Sequence, residues 1–345
     1  MIPDPAVGRL QCVKLLVLNW HEAWVHQLGV LGAELHIVTG LSGRSAREWD
    51  SRVRPIPDNT RILSLDEVLG GPAHHYDCVI SHSIADLLDT RSVDAAKLLV
   101  LHDTLEGWMR QQRSSGDARA MRATVNSYLA SVAGHAIAIS RPKAKSWGVT
   151  HTVVHDSADP EAYPAHIGDL ACGIRLANHI SSKRLPLAWD FHAAALDGLP
   201  IRIVGENPDM PDARPADDWD HLKRMLTSHR FLVHTADPRF EDGYNMGVLE
   251  GMAAGLPVLT NAHPTTLVLH GVTGFIASTP QEMREQALQL LNDEVLAHRM
   301  GQQGRAYIER NFAPGRFRID FGRAIQEARK KWLRSSGVRQ PMIER

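Results

Sequence analysis

The chain has 345 residues, which is enough for two domains of ordinary size. Its apolar content of 43%, charged content of 22% and net charge of −1 are typical of a globular protein and argue against nucleic acid as an obligatory partner. Three widely separated cysteines predict a reducing cytoplasm and no structural zinc. Since no apolar run reaches the roughly 20 residues that span a bilayer, we expect a cytoplasmic protein without a membrane span.

The first half of the chain alternates short apolar runs with segments of helical periodicity. Continuous apolar runs of this length are typical of buried strands in a parallel sheet, and strand, helix, strand is the order of the βαβ unit. The predicted helices are Trp20–Gly32 and Asp117–Gly134, and Arg141–Gly148 is predicted to form one or two helical turns. The predicted strands are Lys14–Asn19, Glu34–Thr39, Asp77–His82, Lys97–Asp103, Ala136–Ser140 and Thr152–His155.

Histidines stand at the carboxyl ends of two of these predicted strands. His82 closes one strand, and His102 lies near the end of the next. Parallel α/β sheets place ligands at the carboxyl ends of their strands, so both histidines are candidates for a functional role. A single histidine at such a point is more often a hydrogen-bonded structural residue, and this interpretation stays open.

The second half repeats the alternation after Asp156–His166, a segment with two prolines and several turn formers that predicts a domain boundary. Its predicted strands are Ile174–Asn178, Pro200–Gly205, Phe231–Thr235, Val258–Thr260 and Gly274–Ala277. One predicted helix follows the loop at positions 178–184 and runs to about Leu196. The other predicted helices are Trp219–Ser228, Gly247–Ala254, Gln281–Asn292, Glu294–Arg310 and Arg316–Arg334.

The most informative stretch is Phe231–Asn261, which reads as strand, loop, helix, strand. The backbone N–H groups of Asn245–Gly247 stand at the start of the helix, where they have no partner within the helix, and predict a phosphate-binding position. Asp242 lies just before the helix and Glu250 lies within it. Carboxylates do not bind a phosphate, so we expect them to accept hydrogen bonds from sugar hydroxyls. A helix start with ordinary surface acids is the alternative.

The segment D-G-Y-N-M-G-V-L-E-G-M-A-A-G-L-P-V, which starts at Asp242, resembles the E-x7-E segment of family 4 glycosyltransferases, retaining enzymes of the GT-B fold. In that family the first acid contacts the transferred sugar and the second holds the ribose of the nucleotide. The resemblance implies the first role for Asp242, although the family normally has Glu there and Glu241 is the alternative. The residues implied in substrate binding are Glu241, Gly243, Tyr244, Asn245, Met246, Gly247 and Glu250.

Three further residues match catalytic positions of the family. His102 is similar to a histidine that lies near the transferred sugar. In the family an Arg and, a few residues later, a Lys clamp the nucleotide diphosphate. The corresponding loop of this chain differs in spacing, because its basic residues Lys183 and Arg184 are adjacent, and Arg175 stands earlier, on the strand. Two fixed cations would hold the leaving diphosphate and neutralise the charge that develops as the glycosidic bond breaks. The alternative is a solvated basic start of a helix.

Two loops are implied in substrate binding by their position. Asn19 begins the loop after the first strand, which in the family is Gly-rich and faces the sugar and the acceptor. Gly205 and Glu206 resemble the family's V-G-x-G turn near the nucleotide base. The extra strand and helix that contact the base in the family have no counterpart before Phe231, so the choice of base stays open.

The resemblance implies a GT-B architecture, in which two Rossmann-like domains have parallel sheets that face a central cleft. Residues 1–158 would form the N-terminal, acceptor-side domain, and residues 159–312 the nucleotide-sugar domain. Residues 313–345 would form a C-terminal helix that packs back on the first domain.

The implied activity is metal-independent, retaining transfer of a hexosyl or related group from a nucleoside diphosphate sugar to an unidentified acceptor. The acceptor is a glycan, a lipid or a small molecule, and no cofactor is implied besides the donor. Two other classes stay open. One is a GT-B relative that epimerises or hydrolyses the nucleotide sugar, and the other is a non-catalytic relative that binds it.

Two other patterns concern metals and membranes. His21 and His26 flank a glutamate as in a zinc-protease motif, but they are five positions apart, about 140° around a helix, so we expect no metal site. The segment Arg329–Arg334 is basic with two apolar residues. It is typical of a solvated helix end, and weak contact with the inner face of an anionic membrane is the alternative.

Overall fold

The computed structural model describes residues 13–43, 48–71, 75–112, 114 and 116–336. The chain divides into two compact units. The first comprises the described residues of 1–156 and 315–345, and the second comprises 157–314. Each unit has its own parallel sheet with helices packed on it.

Six strands form the sheet in the described part of the first unit: β1 (Lys14–Leu18), β2 (Glu34–Thr39), β3 (Thr60–Ser64), β4 (Cys78–Ser81), β5 (Ala96–Leu101) and β6 (His135–Ala138). They are parallel and lie in the order β3-β2-β1-β4-β5-β6, which is the order of a Rossmann sheet. Leu15 and Val17 of β1 enter one core, and Leu16 and Leu18 enter another on the opposite face. Burial on both faces explains the continuous apolar sequence of the central strands.

Among the described residues, six α-helices follow these strands: α1 (Glu22–His26), α2 (Leu65–Gly70), α3 (Ile84–Asp89), α4 (Leu105–Gln111), α5 (Ala118–Ser131) and α6 (Arg141–Trp147). Helices α2 to α6 each start after a Ser, Thr or Asp whose side chain accepts a hydrogen bond from a backbone N–H of the first turn. The predicted helix Trp20–Gly32 is shorter. Its α-helical part ends at His26, a 3-10 helix covers Gln27–Leu31, and Gly32 ends it in the left-handed conformation.

Five strands form the sheet of the second unit: β7 (Leu170–Leu176), β8 (Ile201–Val204), β9 (His229–His234), β10 (Val258–Asn261) and β11 (Gly274–Ala277). They are parallel and lie in the order β11-β10-β9-β7-β8. The predicted architecture of two Rossmann-like units with parallel sheets is therefore confirmed.

The remaining helices are α7 (Trp189–Leu196), α8 (Trp219–Ser228), α9 (Met246–Ala253), α10 (Pro280–Asn292), α11 (Glu294–Asn311) and α12 (Pro314–Ser335), and a 3-10 helix covers Pro160–Ala162. Helix α12 packs into the core of the first unit, where Phe321 and Ile325 are fully buried. Near its end, Arg329 forms an ion pair with Asp77 at 2.8 Å, and Trp332 packs against the same core. Among the helices of the described residues, none is long and apolar enough to cross a membrane.

Several elements differ from the sequence prediction, and helices α2, α3 and α4 were not predicted. Strand β3 was not predicted, because it is a partly exposed edge strand with a weak apolar pattern. The predicted strand Thr152–His155 is reduced to a single bridge between Val153 and Ala138. The helix expected to follow the loop at positions 178–184 starts only at Trp189, after a series of turns.

Helix α11 packs closely on the turn that follows α9. A Cβ at Gly301 would collide with the carbonyl of Gly255 and lie 3.3 Å from the Pro257 ring. At Gly304, one turn further along the same helix, the nearest atoms to such a Cβ are 3.7 Å away, which is ordinary contact. The two glycines therefore have different reasons to be present, and only Gly301 is required by the close approach of the backbones.

We expect Gly301→Ala to lower the free energy of unfolding by about 1–3 kcal/mol, the usual cost of overpacking a buried contact. Gly304→Ala is the matched control, and it should raise stability by up to about 1 kcal/mol because alanine favours a helix interior. Urea unfolding followed by circular dichroism measures both. Equal midpoints for the two variants would contradict the packing described here.

Candidate functional site

The direction in which strands are added to the sheet of the second unit reverses between β7 and β9. The chain leaves β7, adds β8 on one side and then crosses to add β9 on the other side. The loops that diverge at such a point leave a crevice at the carboxyl ends of the strands, where open parallel sheets bind ligands. The loop after β7 carries Lys183 and Arg184, and the loop after β9 carries Asp242 and leads into α9. These candidate residues therefore belong to the two loops that border the crevice.

Helix α9 starts at this crevice. The N-cap Asn245 accepts a hydrogen bond from the Val248 N–H at its Oδ1, at 3.0 Å. The N–H groups of Met246 and Gly247 lie in the first turn, where helix geometry provides no partner within the helix. A Cβ on Gly247 would lie 3.3 Å from two carbon atoms of Leu176, the last residue of β7. The positive end of the α9 dipole therefore lies beside the end of β7, which suits an anion.

Two buried carboxylates belong to this region. Asp242 is 1% exposed and Glu250 is 6% exposed. Glu241 is half-buried, and its Oε1 accepts a hydrogen bond from the Asp242 N–H at 3.0 Å. The Glu241 carboxylate is turned back onto the backbone of its own loop, so Asp242 is the buried acid that precedes the helix.

The loop before α9 is tied to the loop after β10. The Gly243 N–H donates to Thr265 Oγ1 at 2.8 Å, and His263 Nε2 lies 3.1 Å from the carbonyl oxygen of Glu241. A Cβ at Gly243 would lie 2.7 Å from both His263 Nδ1 and the backbone nitrogen of Thr266. A side chain at position 243 would displace that backbone, so the loop keeps its path only with glycine.

Tyr244 packs into the core of the second unit. It is 4% exposed, and its ring centroid lies 6.4 Å from that of Phe312. The same core contains Val248 of α9. The structure therefore places Tyr244, which was predicted to bind substrate, where its ring supports the loop by packing.

Arg175 of β7 connects the two loops that border the crevice. It is 2% exposed, and its guanidinium donates to the Leu187 carbonyl at 3.0 Å and to Thr235 Oγ1 at 2.7 Å. The His192 Nδ1 lies 3.0 Å away, and the guanidinium is also placed over the Trp189 ring. Burial lowers the pKa of Arg175 to about 9, so the side chain is still charged at pH 7. These hydrogen bonds link the guanidinium to neutral groups of the protein, which gives Arg175 a structural role.

Lys183 and Arg184 differ in their surroundings. Arg184 is exposed and forms an ion pair with Asp190 in the first turn of α7. Lys183 is half-buried, and its backbone N–H donates to the His179 carbonyl at 3.0 Å. Both residues lie in the turns before α7, and Arg184 reaches the amino-terminal end of that helix through its ion pair with Asp190.

Asn207 holds the loop after β8 against the loop after β7. Its Oδ1 accepts a hydrogen bond from the Ile180 N–H, and its Nδ2 donates to the Ala177 carbonyl, both at 2.8 Å. Gly205 has a φ of +143°, and a Cβ there would collide with the same carbonyl. Glu206 is exposed between these two residues. The Gly-x-Asn sequence at the end of a predicted strand is the signal that could have identified Asn207.

Asn261 has a similar role on the other side of the crevice. It ends β10, its Oδ1 accepts a hydrogen bond from the Ala236 N–H, and its Nδ2 donates to the Ala236 carbonyl, both at 2.9 Å. The path of the chain after β9 is therefore set by a side chain of β10.

Among the described residues, no group of three or more His, Cys, Asp or Glu side chains is arranged to hold a metal ion.

The candidate residues of the first unit lie at the ends of β1 and β5. Asn19 is 1% exposed, and its Nδ2 donates to Glu22 Oε1 at 3.3 Å. His102 is 6% exposed, and its Nε2 lies 2.8 Å from Nδ1 of His82, which follows β4. Burial lowers the pKa of His82 to about 4 and that of His102 well below its usual value. Both imidazoles are therefore neutral at pH 7 and share a hydrogen bond.

The comparison with family models covers the segment from the end of α7 to the end of α10. Residues 197–293 match the model described as Glycosyl transferases group 1. A protein named as an uncharacterized glycosyltransferase of Methanocaldococcus jannaschii is 28% identical over 93 residues. That match covers 26% of this chain and 26% of the relative, so the chain matches about a quarter of the length of this curated protein.

Solved structures match nearly the whole chain at low sequence identity. HepE of Anabaena, crystallised in complex with UDP and glucose, has a TM-score of 0.67 and 14% identity, and the match covers 91% of this chain and 99% of HepE. Sucrose-phosphate synthase of Thermosynechococcus elongatus has a TM-score of 0.63 and 11% identity, with 91% and 98% covered. The chain therefore has the GT-B fold, and its residues 197–293 correspond to a glycosyl transferases group 1 segment.

Proposed function

We propose that the protein is a retaining glycosyltransferase that moves a hexosyl or related group from a nucleoside diphosphate sugar to an acceptor. The observation that carries this proposal is the start of α9 at the crevice between β7 and β9, with buried Asp242 and Glu250 close to it in the chain. First-turn N–H groups suit the phosphates of a donor, and carboxylates suit hydroxyl groups. The segment also lies within the match to a glycosyltransferase family model.

Each candidate residue has a role in the proposed reaction. Glu250 accepts hydrogen bonds from the ribose, Asn245–Gly247 contact the phosphates, and Asp242 contacts the transferred sugar. Lys183 and Arg184 neutralise the leaving diphosphate, so the proposed reaction needs neither a metal ion nor a cofactor. His102 contacts the transferred sugar in this proposal, as the family resemblance implies.

The donor to test first, the class of acceptor and the cellular location complete the proposal. HepE was crystallised with UDP and glucose, so UDP-glucose is the first donor to test with this chain. The acceptor is a glycan, a lipid or a small molecule. A cytoplasmic location follows from the cysteine usage, and membrane contact is limited to exposed basic side chains such as Lys331 and Arg334 near the end of α12.

Transfer should retain the anomeric configuration of the donor. An inverting enzyme needs a side chain that takes the proton of the acceptor on the face opposite the leaving group, whereas Asp242 and Glu250 are assigned to recognition. Proton NMR of the product formed from an α-linked donor should show an α-linked product, and a β-linked product would overturn the mechanism. UDP release without acceptor would indicate hydrolysis, and binding without turnover would indicate a binding protein.

Glu250→Ala should weaken the binding of UDP by roughly 1.5–3 kcal/mol, the range for a hydrogen bond to a charged group. Isothermal titration calorimetry measures this loss directly. Glu309→Ala is the matched control, since Glu309 is an exposed glutamate on α11 of the same unit, and it should bind UDP like the wild type. Unchanged affinity in a folded Glu250→Ala variant would remove this residue from the donor site.

Lys183→Ala and Arg184→Ala should lower kcat with little change in melting temperature, because the leaving phosphate gains charge as the bond breaks. Asp190→Asn separates two roles of Arg184, since it removes the ion pair and keeps the cation. If Arg184 acts on the diphosphate, Asp190→Asn keeps most of the activity. If Asp190→Asn and Arg184→Ala lose activity equally, Arg184 only orders its loop.

A further inference from the structure

The first unit contains a histidine pair enclosed by two tryptophans. His82 and His102 follow neighbouring strands, and His82 Nδ1 lies 2.8 Å from His102 Nε2. Trp20 stacks on the face of His102, with ring centroids 3.9 Å apart and planes at 14°. Trp24 meets both imidazoles edge to face, at 4.8 and 4.9 Å. The His102 ring is therefore restrained at one nitrogen, on one face and along one edge.

This enclosure leaves one nitrogen of each ring without a hydrogen bond. In the part of the chain that the structure describes, neither His102 Nδ1 nor His82 Nε2 has a hydrogen-bond partner, and both atoms are buried. A buried polar atom without a partner costs on the order of 1–3 kcal/mol. A ring that is held on its other sides and keeps one unpaired nitrogen is arranged to meet a polar group other than those of the described residues.

The backbone holds His82 in place independently of its ring. The Asp86 carboxylate accepts hydrogen bonds from the N–H groups of His82 and Ser83, at 2.8 and 2.9 Å, and so caps α3. Trp24 is fixed by its own indole N–H, which donates to Asp156 Oδ1 at 2.8 Å. His82 and Trp24, two of the three neighbours of the His102 ring, therefore have anchors of their own and can restrain His102 without depending on it.

The hydrogen bond between two neutral imidazoles also couples their tautomers. The hydrogen bond at 2.8 Å holds one proton between His82 Nδ1 and His102 Nε2, and each neutral ring carries only one N–H proton in all. If His102 Nε2 carries that proton, His102 Nδ1 is an acceptor. If His82 Nδ1 carries it, the proton of the His102 ring is on Nδ1, which is then a donor. Removal of His82 would leave His102 free to exchange between its two tautomers.

We propose that His82 is a positioning residue for His102. It holds the His102 imidazole in one orientation and one tautomer, with Nδ1 as the nitrogen that remains for a ligand. The identity of that ligand, a hydroxyl of the transferred sugar, rests on the proposed function. The coupling between the two histidines does not depend on it, and the two statements are tested separately.

The test uses two replacements of His82 that differ only in hydrogen bonding. In His82→Asn the amide takes the position of the Nδ1 atom and can still donate or accept, whereas His82→Leu fills similar space with apolar atoms. Nitrogen-15 NMR of the full chain with labelled histidine reports the tautomer, and the His102→Asn spectrum identifies the His102 signals. The matched control is His135→Gln, which changes a histidine at the opposite, amino-terminal edge of the same sheet.

In the wild type, the two ring nitrogens of His102 should have widely separated shifts, as expected for a single tautomer. They should stay separated in His82→Asn and in His135→Gln, and they should approach each other in His82→Leu. With donor and acceptor, His82→Leu should lower kcat by a factor on the order of 10 while the KM for the donor stays within about twofold, and His82→Asn should recover most of the loss.

Unchanged His102 shifts in His82→Leu would overturn the proposal, as would equal losses of kcat in the Leu and Asn variants, which would indicate packing alone. If the wild type transfers no sugar from any donor, the proposed function fails. The NMR comparison then still decides whether His82 fixes the tautomer of His102.

Discussion

The close fit of α9 against its sheet is the constraint on which the candidate site depends. Gly247 and Gly251 are four residues apart and share one face of the helix. A Cβ at Gly247 would lie 3.3 Å from Leu176 of β7, and one at Gly251 would lie 2.7 Å from Leu232 of β9. The helix therefore lies across β7 and β9, the two strands between which the strand order reverses. Larger side chains at positions 247 and 251 would not allow this short distance.

The glycines that follow extend this fit to the next layer. Gly255 ends the turn after α9 with a φ of +91°, and its carbonyl faces Gly301 of α11. The helix is thus held between the sheet on one side and α11 on the other. A shift of its first turn would disturb both contacts, so the N–H groups of the first turn keep their direction before any ligand binds.

Sequence patterns predicted the helices and strands that are defined by residues close together in the chain. The bounds of α8 and β11 agree with the prediction, because Asp218 caps α8 and apolar residues mark the strand. The spacing of Asp242, Glu250 and the glycines of α9 was also readable, since one helix with its preceding loop carries them all. The loop of Lys183 was predicted less well, because its turns are held by contacts with residues that are distant in the chain.

The interactions that escaped prediction join residues far apart in the chain. Arg175 reaches Thr235 across 60 positions, and His82 meets His102 across 20. Such a pair leaves no periodic pattern in the sequence, because each of its residues alone is a polar side chain on or just after an apolar strand. In the same way, the sequence left Glu241 open as an alternative to Asp242, and the fold of the loop distinguishes the buried acid from the one that turns back on the backbone.

Arg175 also has an electrostatic consequence for anything that approaches the crevice. Its hydrogen bonds to carbonyl, hydroxyl and imidazole groups satisfy the guanidinium geometrically but leave its positive charge uncancelled by those partners. The guanidinium is charged at pH 7, and in a poorly polarisable interior its field is weakly screened. An anion in solution would feel this attraction before contact, over a distance set by the Debye length of about 8 Å at physiological salt. The rate of association of an anion with the crevice should therefore decrease as the ionic strength increases.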